Sequence, residues 1–183
     1  MYLGDMNMTE ENISQEVAYY NGLSFIFEDF MVLSDLSDGI IRLVCTKKHF
    51  VDFYEKWMPA YEFEICTGDA KVGDIRLRIG YSEGIYYSGH IGFAINEEHR
   101  RNGYAALACR LIASVARYHE MKKLLITNDD GNIASYRVCE KLGAKFVRKA
   151  DLPNWHDAYK KGHRYKNIFE WNVHCLHKKT GKL

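Results

Sequence analysis

Proline is nearly absent from the chain: among 183 residues only Pro59 and Pro153 occur, and both fall in stretches that read as loops. No hydrophobic run is long enough to cross a bilayer; the longest apolar-rich stretch, Leu23 to Leu33, is interrupted by Ser24, Glu28 and Asp29. Charge of one sign is also missing. Lys+Arg of 25 against Asp+Glu of 24 leaves no general field to draw nucleic acid or an anionic membrane, so an anion site has to be local. The five cysteines (Cys45, Cys66, Cys109, Cys139 and Cys175) contain no C-x-x-C pair. That spacing argues against structural zinc and a disulfide framework, and predicts free thiols in a reducing cytoplasm. Met1 to Asp5 has neither the basic nor the apolar region of a secretory leader. What remains is ordinary globular composition, 47% hydrophobic, with thirteen tyrosines in a 14% aromatic share. A single domain over 1–183 is expected, with 1–38 as an N-terminal extension.

Periodicity divides the chain in two. Thr9-Glu10-Glu11 reads as a helix start and Gly22 as its stop, while Leu23 to Leu33 fits helix or strand. Asp38-Gly39 marks a turn before a strand from Ile40 to Cys45. Thr46 to Pro59 reads as a long loop or short helix. Strands follow over Tyr61 to Cys66, Lys71 to Tyr81 and His90 to Ile95, separated by the turns Gly68-Asp69 and Ser82-Glu83-Gly84, as in an antiparallel meander. Beyond Ile95 the pattern becomes helical. Leu107, Leu111 and Val115 form a stripe within Gly103 to Glu120. Leu124 to Thr127 is a buried-strand run, and Asn132 to Leu142 a second helix with Ala134, Val138 and Leu142 on one face and Gly143 as its stop. Strands near Ala144 to Lys149 and Tyr165 to Val173 flank the polar, aromatic loop Asp151 to Arg164. The fold class is α+β. We expect a mixed, mostly antiparallel central sheet of about six to seven strands, with a β-α-β-α-β segment and helices on both faces.

The junction between the strand ending at Ile95 and the helix opening at Gly103 carries the chemistry. A helix N-terminus offers several backbone N–H groups without partners and about half a positive charge. Gly103 and Ala105 keep that end narrow enough for a ligand to reach the backbone, and Arg100 and Arg101 add donors suited to phosphate oxygens. A pyrophosphate fits such a turn.

Arg100-x-x-Gly103-x-Ala105 resembles the [Q/R]-x-x-G-x-[G/A] motif of the GNAT-type N-acetyltransferases, which holds the pyrophosphate of acetyl-CoA. The run from Asn132 to Gly143 resembles the family's N-x-x-[A/S]-x-x-x-Y-x-K-x-G pattern, with Asn132, Ser135, Lys141 and Gly143 matching. The resemblance covers roughly Lys71 to Cys175, is thin before Ser82, and implies a GNAT-like fold using acetyl-CoA as co-substrate without a metal. It implies that the backbone of Phe93, Ala94 and Ile95 pairs with the pantetheine arm, and that Arg100, Arg101, Asn102, Gly103, Tyr104 and Ala105 surround the pyrophosphate. Asn132 then hydrogen-bonds the pantetheine, with Ser135 and Lys141 nearby; Asn132 also reads as a plain helix cap.

Where the family often has a tyrosine that protonates the leaving thiolate, this chain has Cys139. A thiol is matched in acidity to that task, and it is equally a small packed residue. Tyr136 is a weaker substitute. Glu97 and Glu98 are candidate bases, with His90 and Tyr87 as alternatives. The segment between the family's last two strands commonly borders the acceptor, which nominates Trp155 and Tyr159, together with Trp57, Tyr54 and Tyr87, as pocket walls. The resemblance implies a small-molecule or peptide amine as acceptor, attacking the thioester directly. A homodimer is possible, and no nucleic acid or membrane partner is expected. An acyl-CoA sensor that kept the cleft and lost catalysis is the alternative. The basic run Lys160 to Lys166 reads as a solvated loop, and His174 and Cys175 point to opposite faces of a strand end, which does not suit a metal site.

Overall fold

The computed structural model describes residues 29–33, 36–52 and 57–173. The helix expected from Thr9 to Gly22, most of Leu23 to Leu33, Tyr54, and His174 and Cys175 lie outside the described residues. Five strands form the meander: β1 (Leu36–Ser37), β2 (Arg42–His49), β3 (Ala60–Thr67), β4 (Ala70–Arg78) and β5 (Ile91–Ile95). They pair in chain order, each antiparallel to the next. Asp38 closes the first turn, its carboxylate accepting from the N–H groups of Ile40 and Ile41, both at 2.9 Å. Gly68 and Asp69 form a two-residue hairpin loop between the paired Thr67 and Ala70.

Two elements depart from the expected pattern. Thr46 to His49 continues β2 beyond a bulge at Cys45 to Lys47, where a loop or short helix was expected. Cross-strand charge holds that end: Glu62 on β3 meets His49 at 2.9 Å and also pairs with Arg76 on β4. Ser82-Glu83-Gly84 is likewise no strand-to-strand turn. Ser82 caps helix α1 (Glu83–Ser88), its hydroxyl accepting from Ile85 N–H at 3.2 Å, and Ile85, Tyr86 and Tyr87 are buried.

The second half comprises α2 (Tyr104–Tyr118), β6 (Lys123–Asp129), α3 (Ile133–Leu142), β7 (Lys145–Asp151), α4 (Asp157–Lys160) and β8 (Tyr165–Asn172). β8 lies between β6 and β7, antiparallel to both. Among the described residues, eight strands thus form two antiparallel sheets, of five and three strands, rather than one mixed sheet. The main core lies between the five-stranded sheet and α2. The buried face of α2 is centred on Ala108, Cys109, Ile112, Val115 and Ala116, and the expected stripe residues Leu107 and Leu111 are half-buried at its edge. Small side chains let the helix lie close to the strands. In α3, similarly, Ser135, Cys139 and Leu142 face inward, while Ala134 is exposed and Val138 half-buried.

Candidate active site

β5 is the outer strand of one sheet and β6 the outer strand of the other. His90 ties them. Its N–H donates to Leu125 O at 2.8 Å, its Nδ1 accepts from Leu125 N–H at 2.8 Å, and its Nε2 donates to Gly80 O at 3.0 Å. With Nδ1 accepting, the ring is neutral and carries its hydrogen on Nε2. Burial pushes its pKa from 6.5 down to about 3, and the ring is 0% exposed. His90, a candidate base, is therefore part of the scaffold. Between β5 and the end of β6 lies a cleft of about 1010 Å³, the size of a small-molecule site.

One end of the cleft is the turn after β5. Glu97–His99 is a single 3-10 turn, after which Arg101 and Gly103 both adopt left-handed backbone, at φ 69° and 82°. Gly103 precedes α2 without a side-chain cap, and the first bonds to close are those from Ala106 and Leu107 N–H to Gly103 O. The N–H groups of Tyr104 and Ala105 stand ahead of any helical acceptor. Gly103, Tyr104 and Ala105 line the cleft, and a Cβ at Gly103 would meet nothing within 4 Å. Arg100, Arg101, Arg137, Lys141 and Lys166 also line it, against Asp129 alone among the acids. A neutral chain thus has a locally cationic cleft.

The side walls are β5, through Phe93, Ala94 and Ile95, and the N-terminal half of α3. Asn132 caps α3, its Oδ1 accepting from Ser135 N–H at 3.0 Å, which leaves its amide nitrogen available to a ligand. Thr127, Asn128 and Asp129 line the β6 side. Asn128 is 3% exposed; its Oδ1 accepts from Asn167 Nδ2 at 3.2 Å, and its own Nδ2 has no hydrogen-bond acceptor. An orphaned buried donor costs about 1–3 kcal/mol, so a bound acceptor at the β6 wall would satisfy a standing deficit.

Most of the cofactor-site candidates meet here: Phe93, Ala94, Ile95, Arg100, Arg101, Gly103, Tyr104, Ala105, Asn132, Ser135 and Lys141 line one cleft. Asn102 does not; its Nδ2 bonds His99 O at 3.1 Å within the turn. Glu97 and Glu98 are exposed on the 3-10 turn, outside the lining. Cys139 is 0% exposed, inside the main core and outside the lining. Burial pushes its thiol up to about 12, with smaller opposing pulls from the backbone and from the neighbouring Asn128 amide. A thiol so placed does not match an alkyl thiolate as a proton donor.

The acceptor-wall candidates divide. Tyr87, 8% exposed, meets Trp155 edge to face at 5.9 Å, and Tyr159 packs on the same small cluster. Trp57 is elsewhere, exposed and bridged to Asp52. The sequence reading missed the residues that reach the cleft from other elements: Ser88, Thr127, Asn128, Asp129, Arg137 and Lys166. Asn128 and Asp129 stand opposite Asn167 and Lys166 across β6 and β8, a register that only the sheet pairing reveals. Among the described residues no three His, Cys, Asp or Glu side chains gather as a metal site, and no helix is long and apolar enough to cross a membrane.

Residues 41–145 match the family profile described as Acetyltransferase (GNAT) domain. The chain belongs to the GNAT acetyltransferase family. The matched part of this GNAT domain runs from the residue before β2 through α3 to the first residue of β7, and so includes the tie at His90, the phosphate-type turn and Asn132. No curated protein matches the chain significantly. Among solved structures the GNAT chain is similar to the acetyltransferase from Salmonella typhimurium that modifies the N-terminal serine of 50S ribosomal subunit protein L7/L12, at 16% identity and TM-score 0.49, over 62% of this chain and 63% of that one. It is also similar to Mycobacterium smegmatis RimJ in complex with CoA-disulfide, at 16% identity and TM-score 0.49, over 62% and 53%. A third is the microcin C7 self immunity acetyltransferase MccE in complex with acetyl-CoA and AMP, at 16% identity and TM-score 0.47, over 62% and 61%. This GNAT chain spans less than two thirds of the length of each.

Proposed function

We propose that the chain is an N-acetyltransferase that binds acetyl-CoA in the β5–β6 cleft and transfers the acetyl group to a primary amine of a small molecule or peptide. The carrying observation is that one cleft combines an uncapped helix N-terminus with an outer strand edge. The first suits a diphosphate and the second an amide-bearing arm. Backbone N–H groups from Arg101 to Ala105 would hold the pyrophosphate, with Arg100, Arg101 and Lys141 supplying charge. Phe93 to Ile95 would pair with the pantetheine amides, and the Asn128 and Asn132 amide nitrogens would donate to its carbonyls. Acetyl-CoA supplies an activated thioester, and the residues here supply orientation and charge stabilisation. The aromatic cluster of Tyr87, Trp155 and Tyr159 would border the acceptor.

Calorimetric titration with acetyl-CoA tests the reading. Wild-type protein should bind one equivalent, and Gly103→Glu, which places bulk and negative charge in the turn, should weaken that binding at least a hundredfold. Unchanged affinity in Gly103→Glu would overturn the assignment of the pyrophosphate. A second reading, a sensor that binds acetyl-CoA without turnover, is favoured by one observation: Cys139, Glu97 and Glu98 all lie outside the cleft lining. Release of free CoA thiol in a panel of amines separates the two; thiol released above the rate without amine identifies the enzyme.

A further inference from the structure

Ser88 is the last residue of α1, and its hydroxyl bonds His156 Nε2 at 3.0 Å across 68 positions of sequence. Ser88 lines the cleft, whereas His156 is buried beneath the aromatic cluster, with its ring 6.1 Å from that of Tyr87. The direction of the Ser88–His156 bond follows from the other ring nitrogen. His156 caps α4, and its Nδ1 accepts from Ala158 N–H at 3.1 Å. Nδ1 therefore carries no hydrogen, so Nε2 does, and Nε2 donates to Ser88. Burial, first, and the nearby Lys166 hold the His156 pKa below its usual value, which keeps this neutral form in place. Ser88 Oγ is thus an acceptor towards His156, and its own hydrogen has no acceptor among the described residues.

The place of that hydrogen matters. The phosphate-type turn follows the last residue of β5, and Ser88 stands three residues before the first, with Gly89 and His90 between. Five strand residues span about 16 Å, so Ser88 and the turn occupy opposite ends of the cleft. We infer that the Ser88 hydroxyl, oriented by His156, donates a hydrogen bond to the thioester carbonyl oxygen of acetyl-CoA. This rests on the reading of the cleft given above. As the amine forms its C–N bond, the carbonyl electron pair moves to oxygen. It returns as the C–S bond breaks, and CoA leaves as thiolate while the amine loses its proton to solvent. Ser88 keeps its proton throughout and acts as a donor to the developing charge. His156 does not touch the substrate; it is a positioning residue. The pair is no nucleophile–base dyad, because the nitrogen facing Ser88 already carries a hydrogen.

The test needs no acceptor. Acetyl-CoA has the carbonyl and CoA lacks it, so the ratio of their dissociation constants reports this one contact. Calorimetry on wild type, Ser88→Ala, His156→Asn and the double variant gives the ratios. Asparagine at 156 retains an oxygen to cap Ala158 but places nothing at Nε2. Ser88→Ala should weaken acetyl-CoA about fivefold and leave CoA unchanged. His156→Asn should move the ratio in the same direction, and the double variant no further than Ser88→Ala. Equal loss for both ligands, no loss for either, or additive single effects would overturn the inference. A wild type that binds neither ligand removes the reading of the cleft and this inference together, whereas tight binding of both with an unchanged ratio in Ser88→Ala removes only the inference.

Discussion

At the scale of single residues, the buried histidines make the fold sensitive to acid. His90, His119 and His156 all have pKa values lowered by burial. Each is neutral in the folded protein and takes up a proton on unfolding near its ordinary value of 6.5. The folded state then binds fewer protons, so stability is fully present above pH 6.5 and falls as pH falls, for His90 down to about 3. Urea unfolding at pH 7.5 and 5.5 should show the loss, and His90→Gln, neutral at both, should reduce it. Equal stability of the wild type at the two pH values would contradict these burials. Cys139 makes the complementary case. Cys139→Ala should cost about 1–2 kcal/mol in stability through a small core void and leave acetyl-CoA affinity unchanged, as melting and titration would show.

At the scale of elements, β5 walls the cleft and β4 backs it, and at Gly73 the two strands leave no room for a side chain. A Cβ there would lie 2.3 Å from Ala94 O, a backbone atom of β5 that cannot swing aside. Gly73→Ala should destabilise the protein by about 1–3 kcal/mol and displace the strand edge that would pair with acetyl-CoA. Affinity should fall even though residue 73 is not among those lining the cleft. A variant of unchanged stability and affinity would show that the pairing has more slack than the coordinates give it. The parts of this wall that sequence made legible are the local ones. Arg100 to Ala105 and α2 follow from spacing within a few turns of chain, and Asn132 from its place at a helix start. Helix α1 was hidden because six residues hold too little periodicity, and its stability comes from burying Ile85, Tyr86 and Tyr87. α4, four residues inside an expected loop, was hidden for the same reason. The β6 side was hidden because Asn128 and Lys166 lie on separate strands, 38 residues apart, and meet only through sheet register.

At the scale of the whole molecule, the two sheets share a core but face each other across the cleft, with His90 and Leu125 as their backbone tie. A ligand spanning β5 and α3 would cross-link them. At a hundredfold excess over Kd, acetyl-CoA should add about 2.7 kcal/mol of stability, or roughly 5–10 °C in Tm. Hydrogen exchange should then slow in β5 and β6 together; slowing confined to one sheet would contradict a bridging site. The strand order has a consequence of another kind. β8 is the last described strand, yet it sits between β6 and β7, so neither earlier strand has its neighbour until β8 arrives. A nascent chain leaving the ribosome can pair the five-strand meander as it emerges, each strand against its predecessor. The opposite wall has to wait until translation has passed Asn172, so the cleft is completed only after the meander that forms its other side.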